Sequence, residues 1–257
     1  MRTQAGNMRT IACLLLLAAP LAAKPQVQAR LLCDKTALVP GQTIRLGVLL
    51  EPGAHWHTYW KNAGDSGLPS EFTWKLPAGW QPGALLWPLP GRFEAMGSVL
   101  YGYDQPALHQ ISVRVPADLK QGQNLKLGVH ASWLACNEET CVPGQADLTL
   151  SLPVAANSKA SASKPLFDEQ QEPEPIPSEV TRAGQELVLK TKFTDQLTTF
   201  FPDPGLQIVD AAPQKADGAG LHLQAAARSK PLTRLQGLLV VGEGKSRRGY
   251  TVDQAIP

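Results

Sequence analysis

Residues 124–152 read NLKLGVHASWLACNEETCVPGQADLTLSL. Leu125, Leu127, Val129, Ala131 and Trp133 alternate with Lys126, Gly128, His130 and Ser132, the period of two that marks a strand with one buried face. Leu148, Leu150 and Leu152 repeat the pattern. Counting on from an inward Trp133, Ala135 faces inward and Cys136 outward. Counting back from Leu148, the inward set is even-numbered, so Cys141 also faces outward unless a bulge intervenes at Pro143-Gly144. Four residues separate the cysteines, a common hairpin loop length. Two strands joined by that loop set Cys136 opposite Cys141, within disulfide reach, with both sulfurs on the more accessible side near the tip.

The same alternation recurs upstream, where Ile44, Leu46, Val48 and Leu50 alternate with Thr43, Arg45, Gly47 and Leu49. Turn signals separate the patterns: VPGQ at 39–42, LPAGWQPG at 76–83 and ADLKQGQN at 117–124. No amphipathic helix of ten residues or more stands out. With 22 Gly, 22 Pro, 43% hydrophobic and 18% charged residues, the chain has core enough to fold and the punctuation of many short strands. Residues 30–156 therefore read as an antiparallel β-sandwich. Residues 157–177 (NSKASASKPLFDEQQEPEPIP) have a linker's composition. Beyond them ELVLKTKF (186–193), GLQIVDA (205–211), GLHLQAA (220–226), LQGLLVVGEG (235–244) and GYTVDQAIP (249–257) are strand candidates of a second, smaller β-sandwich over 178–257. The fold class is all-β, two antiparallel β-sandwiches in tandem.

Ahead of the first sandwich, Arg2 and Arg9 precede an apolar run from Ile11 to Leu21, followed by small residues. Residues 1–29 read as an export signal, cleaved after Ala23 or before Arg30. The run is shorter than the ~20 residues a spanning helix needs. The expected location is the periplasm, free or as the soluble part of a membrane-bound protein. The net charge is +2 with no basic stripe, which argues against nucleic acid as a partner.

Cys13 lies in the export signal, leaving Cys33, Cys136 and Cys141, an odd number for an oxidising compartment. Spacing alone leaves Cys136 and Cys141 open to redox exchange, a structural bridge or metal binding. Closing so short a loop constrains the unfolded chain by only ~2 kcal/mol, whereas pairing Cys33 with either would give roughly 4.7 kcal/mol. A short, exposed bridge is the kind that exchanges with other thiols. Glu138 and Glu139 in the loop disfavour a thiolate. His130 shares the outer face, but the strand between puts it about 20 Å from Cys136, too far to act as its base. The pair reads as a selective electron relay.

At these residues the chain resembles the periplasmic N-terminal region of the DsbD family of thiol:disulfide interchange proteins. It is similar in particular to the ScsB-like branch associated with suppression of copper sensitivity. The matching stretches are LVPGQTIRLGVLLEPGAHWHTYWKNAGDSGLPSEFTWKLPAGW (38–80), LLWPLPGRF (85–93), YGYDQPALHQISVRVPADL (101–119) and ASWLACNEETCVPGQADLTLSLPV (131–154). Weaker echoes follow in FFPDPGLQIVDAAPQ (200–214) and LQGLLVV (235–241). The resemblance implies an immunoglobulin-like redox domain whose active pair is Cys136 and Cys141. It implies Cys141 as the thiol that forms the mixed disulfide and Cys136 as the one that resolves it. It also implies a cap loop whose aromatic rests over the sulfurs, for which Phe93 in PLPGRFEAMGS (88–98) is the positional match. The implied partners are periplasmic thioredoxin-fold proteins of the disulfide isomerase type and a membrane-linked thioredoxin-like electron donor. Cys33 is outside that pattern and reads as a small buried hydrophobe.

Other constellations carry less. GDSG (64–67) resembles a serine protease segment, but His55 and His57 lie too close upstream for that order of triad members, so it reads as a turn. His55 and His57 share a strand face on this reading and offer two ligands for copper or zinc, with no complete site around them. GEGKS (242–246) lacks the first glycine of a phosphate loop and reads as a hairpin turn. Tyr101 and Tyr103 are expected either to border the redox site or to pack. The expected function is thiol-disulfide exchange without flavin, nicotinamide or metal. The alternatives are a non-catalytic binding or chaperone module with a structural disulfide, and a copper-binding protein.

Overall fold

The computed structural model describes residues 26–95, 97–193, 196–206, 208–227 and 232–257. The export signal expected over 1–29 lies outside the described residues up to residue 25. The first domain contains β1 (Val27–Cys33), β2 (Thr43–Pro52), β3 (Thr58–Gly64), β4 (Glu71–Lys75), β5 (Gly91–Ala95), β6 (Ser98–Tyr103), β7 (Ala107–Arg114), β8 (Asn124–Cys136) and β9 (Cys141–Pro153). Sheets β1-β2-β7 and β4-β8-β9 are antiparallel and face one another. Between them lie Leu31, Ile44, Leu46, Val48, Leu127 and Val129, the inward sets of β1, β2 and β8. Burying one face of each strand against the other sheet is what the alternation requires. A third sheet, β3-β6-β5, folds over the end of the sandwich where β8 and β9 meet. β1 begins at Val27, which pairs with Pro52, so the sandwich starts three residues before the expected boundary at 30.

The expected linker is ordered against the first domain. Ser161 Oγ donates to the Cys33 carbonyl at 2.5 Å, and Ala37 N donates to Ser158 Oγ at 3.0 Å. The short helix α1 (Lys164–Glu169), with a proline in its first turn, places Phe167 at 0% exposure against Leu49 and Leu108. These lie on the outer face of β2 and β7, so Leu49 and Gly47 are buried although they alternate with the core set. A Cβ at Gly47 would sit 2.6 Å from Leu108 Cδ1, so only glycine leaves room there. Arg45 ties the segment down, reaching Asp34 at 3.0 Å and Asp168 at 2.6 Å. One aromatic and one ion-pair network override a composition that is otherwise polar.

The second domain pairs two further sheets around Val180, Leu187, Leu189, Phe200, Leu223 and Leu239. One holds β11 (Glu179–Ala183), β12 (Glu186–Lys190), β15 (Gly220–Gln224) and β14 (Lys215–Asp217) in that order. The other holds β10 (Glu174–Pro175), β17 (Arg248–Ala255), β16 (Arg234–Val241) and β13 (Thr198–Pro202). The GEGKS segment forms a single 3-10 turn between β16 and β17. Among its described residues GLQIVDA makes one bridge, Ile208 to Ala225, and the ladder beside β16 is formed by Thr198–Pro202. The domains share a core in which Trp60, Val99, Tyr101 and Tyr103 meet Phe201, Leu238 and Val240.

Candidate functional site

β8 and β9 pair in continuous register from Asn124↔Pro153 to Cys136↔Cys141, with no bulge at Pro143-Gly144. The loop Asn137–Thr140 is closed by Asn137, whose N donates to Thr140 O at 2.9 Å while its Oδ1 accepts from Glu139 N and Thr140 N at 2.9 and 2.8 Å. Cys136 and Cys141 are disulfide-bonded, with their Cα atoms 4.0 Å apart. The backbone of Cys136 turns away from β9 toward His57, donating to its carbonyl at 3.1 Å and accepting from its N at 2.9 Å. Cys136 and Cys141 thus form the close, non-hydrogen-bonded kind of cross-strand pair. Pro143, two positions along, turns its backbone nitrogen the same way as Cys141, toward the free edge of β9.

Both cysteines fall on the outer face of their sheet, but their exposure differs. Cys141 is exposed, whereas Cys136 is 1% exposed. The expectation that both sulfurs are accessible is corrected by the third sheet. Tyr59, Ala63 and Leu100 pack on Cys136, with Phe93 and Leu134 beside them. Phe93 stands opposite Leu100 in the β5–β6 hairpin, on the face turned to Cys136. A Cβ at Gly91 would lie 2.7 Å from Phe93 Cζ, so the glycine makes space for that ring.

His57 is the neighbour that sequence reasoning missed. Its ring lies nearly parallel to that of Phe93 at 6.3 Å, and its Nε2 is 3.2 Å from the Tyr59 hydroxyl. Burial pulls its pKa below the usual histidine value, with Asp104 opposing, and burial pushes the Tyr59 phenol up. The protein therefore presents beside Cys136 an imidazole whose charged form burial disfavours. Nothing local in the sequence announces this contact, because it joins a strand start to a hairpin tip far along the chain. A groove of about 540 Å³ opens here, lined among others by His55, His57, Phe93, Asp104, Asn137 and Glu138.

The remaining candidates lie elsewhere. Tyr101 and Tyr103 do not border the disulfide: they are 0% and 6% exposed on the opposite face of β6, against the second domain. Leu100, next to Tyr101 on the other face of the strand, is the residue turned to Cys136. The Tyr101 hydroxyl donates to Asp210 Oδ1 at 3.0 Å and that of Tyr103 to Pro88 O at 2.9 Å. His55 and His57 do not share a strand face, since His55 sits in a turn at φ 67° while His57 pairs in an isolated bridge with Cys136. Among the described residues no group of three or more His, Cys, Asp or Glu is arranged to hold a metal, and no helix is long and apolar enough to cross a membrane. Cys33 is 5% exposed in the sandwich core, and burial pushes its thiol up to about 11. GDSG is a turn: Asp65 Oδ2 accepts from Val99 N at 2.8 Å, and Gly67 leaves room for the Tyr59 ring.

Residues 28–153, from β1 to the end of β9, match the family described as thiol:disulfide interchange protein DsbD, N-terminal. The first domain is a DsbD N-terminal domain. Among solved structures, the N-terminal periplasmic domain of ScsB from Proteus mirabilis aligns over 93% of this chain and 96% of its own, with a TM-score of 0.65 and 19% identity. That likeness extends the shared fold across both domains. A protein of unknown function from Porphyromonas gingivalis W83 aligns over 89% of this chain and 99% of its own, at 14% identity, but its TM-score of 0.25 is too low for a common arrangement. No curated protein matches the chain. The DsbD N-terminal domain is associated with thiol-disulfide exchange, and this one carries its cysteine pair as a disulfide.

Proposed function

We propose that the chain is a periplasmic thiol-disulfide exchange protein. It relays reducing equivalents through Cys136 and Cys141 from a membrane-linked thioredoxin-like donor to thioredoxin-fold partners of the disulfide isomerase type. The observation that carries this reading is the disulfide at the tip of the β8–β9 hairpin, with one sulfur's residue exposed and the other's covered. A bridge between positions already held by a continuous ladder adds little to stability, about 2 kcal/mol for so short a loop. Its placement suits exchange better than reinforcement.

Loading begins when a donor thiolate attacks Cys141 Sγ, breaking the Cys136–Cys141 bond and releasing Cys136 as a thiolate that takes up a proton. The donor's second thiol then attacks the mixed disulfide, leaving Cys141 reduced and the donor oxidised. Delivery runs in reverse. The Cys141 thiolate attacks a partner disulfide and expels one partner thiolate. Cys136, deprotonated, then attacks Cys141 Sγ and releases the second partner thiol. Two electrons and two protons pass onward in each step, and no cofactor enters. Phe93, His57 and Tyr59 keep water and stray thiols from Cys136, which supports Cys141 as the sulfur that meets partners.

The test is equilibration of the mature protein in graded thiol buffers, with the redox state read by mass after alkylation. Equilibration of the folded protein at a moderate potential, and a mixed disulfide trapped on Cys141 in Cys136→Ala, are the expected results. A pair that stays oxidised until the protein unfolds, with a potential below about −300 mV, overturns the proposal. It would then be a structural bridge.

A further inference from the structure

Among the described residues, the sheet β3-β6-β5 that covers Cys136 is joined to the β4-β8-β9 sheet by a single backbone bridge, between His57 and Cys136. Its two faces serve different neighbours. Tyr59, Ala63, Phe93 and Leu100 face Cys136, while Trp60, Val99, Tyr101 and Tyr103 face the second domain. The second-domain side is the more heavily held. Tyr101 lies edge-on to Phe201 at 5.1 Å, and Trp60 meets the same ring at 5.9 Å. Asn62 Nδ2 donates to Pro202 O at 2.9 Å, and Lys61 pairs with Asp203 at 2.6 Å. The β5–β6 hairpin itself is gripped at Asp210, whose Oδ1 accepts from the Tyr101 hydroxyl at 3.0 Å and whose backbone carbonyl accepts from Arg92 Nη2 at 3.2 Å. Arg92 is adjacent to Phe93, and Tyr101 to Leu100. Just upstream, the Arg247 guanidinium donates to the Pro90 carbonyl, and Gly249 leaves room for Leu89 against β17.

We infer that the second domain is a brace for the redox site: through Asp210, Tyr101 and Arg92 it holds the β5–β6 hairpin over Cys136, so that an incoming thiol reaches Cys141 alone. Asp210 and Tyr101 are positioning residues, acting through Phe93 and Leu100. A hairpin held on one face by the disulfide cluster and on the other by a separate domain opens only when one of those contacts gives way. The second domain then sets which sulfur is attacked, and therefore which thiol is left free to resolve the mixed disulfide. This rests on the reading of Cys136–Cys141 as an exchanging pair, whereas the brace as a physical contact does not.

The experiment uses the full mature chain, oxidised, exposed to reduced glutathione and quenched with N-ethylmaleimide. Fragment-ion mass spectrometry then locates the glutathione on Cys136 or Cys141. In the wild type the adduct sits on Cys141. In Asp210→Ala, and in the milder Tyr101→Phe, the Cys136 adduct rises about five- to ten-fold, the factor one hydrogen bond contributes to an opening equilibrium. Asp210→Asn, which keeps an acceptor for Tyr101, restores the wild-type pattern. Adducts confined to Cys141 in every folded variant overturn the brace while leaving the relay intact. If the wild type forms no adduct until unfolded, the relay fails instead. Amide exchange across Val99–Tyr103 then decides the brace: faster exchange in Asp210→Ala upholds it, and unchanged exchange overturns it.

Discussion

Lowering the pH should cost this protein stability through one side chain, His109. Its ring, at 0% exposure on β7, lies among Phe72, Trp87 and Tyr103 at centroid distances of 4.9, 5.1 and 5.4 Å. Neither ring nitrogen has a hydrogen-bond partner of good geometry among the described residues. Burial pulls its pKa from 6.5 to about 3, with the backbone of Val48 and Ala107 opposing. The native state therefore keeps the ring neutral, while the unfolded chain takes up a proton as the pH falls below 6.5. The stability this group contributes is whole above pH 6.5 and is lost progressively down to about pH 3. At about 1.4 kcal/mol per pH unit, the loss is about 3 kcal/mol at pH 4 and about 4 kcal/mol at pH 3. That is a third or more of the stability of an ordinary domain. Urea unfolding followed by tryptophan fluorescence, at intervals from pH 7 to 4, measures it in the wild type and in His109→Phe. Subtracting the two removes the carboxylates common to both. The difference should grow in favour of His109→Phe as the pH falls, and a difference that stays constant over this range refutes the argument.

In the reduced protein, a bulky maleimide should label Cys141 at least ten-fold faster than Cys136, read by peptide mass, because only Cys141 is exposed. Gly91→Ala forces a methyl to within 2.7 Å of the Phe93 ring and should speed reduction of the disulfide by a small phosphine roughly three-fold, measured by stopped alkylation. Phe167→Ala should lower the unfolding free energy by about 3 kcal/mol in urea titration, since it empties a site at 0% exposure. Cys33, with its thiol pushed up to about 11, should resist iodoacetamide at pH 8 until the protein is unfolded.

Much of the sandwich was legible because burying one face of a strand imposes a period of two. The count from Trp133 and from Leu148 put both cysteines on one face and opposite each other, as the β8–β9 register has them. It did not give the burial of Cys136, because the cover comes from β3, β5 and β6, whose contacts with the hairpin tip span large sequence separations. Tyr101 and Tyr103 were read as a pair at alternate positions, which they are. A strand with both faces buried offers no polar face to tell which neighbour each set meets. The 157–177 segment misled through composition, since Phe167 is a lone anchor in a polar run. In the second domain GLQIVDA has strand-like residues but only one bridge, while TTFFP, shorter and ending in proline, takes the ladder place beside β16.

Pro143 has a bearing on how such a protein behaves in a crowd. An exposed strand edge beside a reactive sulfur invites a foreign strand to add along it and lay its backbone against Cys141. The edge of β9 lacks a donor two residues from Cys141, where Pro143 turns its nitrogen outward, and the same strand ends on Pro153. Lateral growth of the sheet is thereby broken at the place where it would do the most chemical harm. A strand that added here would lose a hydrogen bond beside the exposed Cys141.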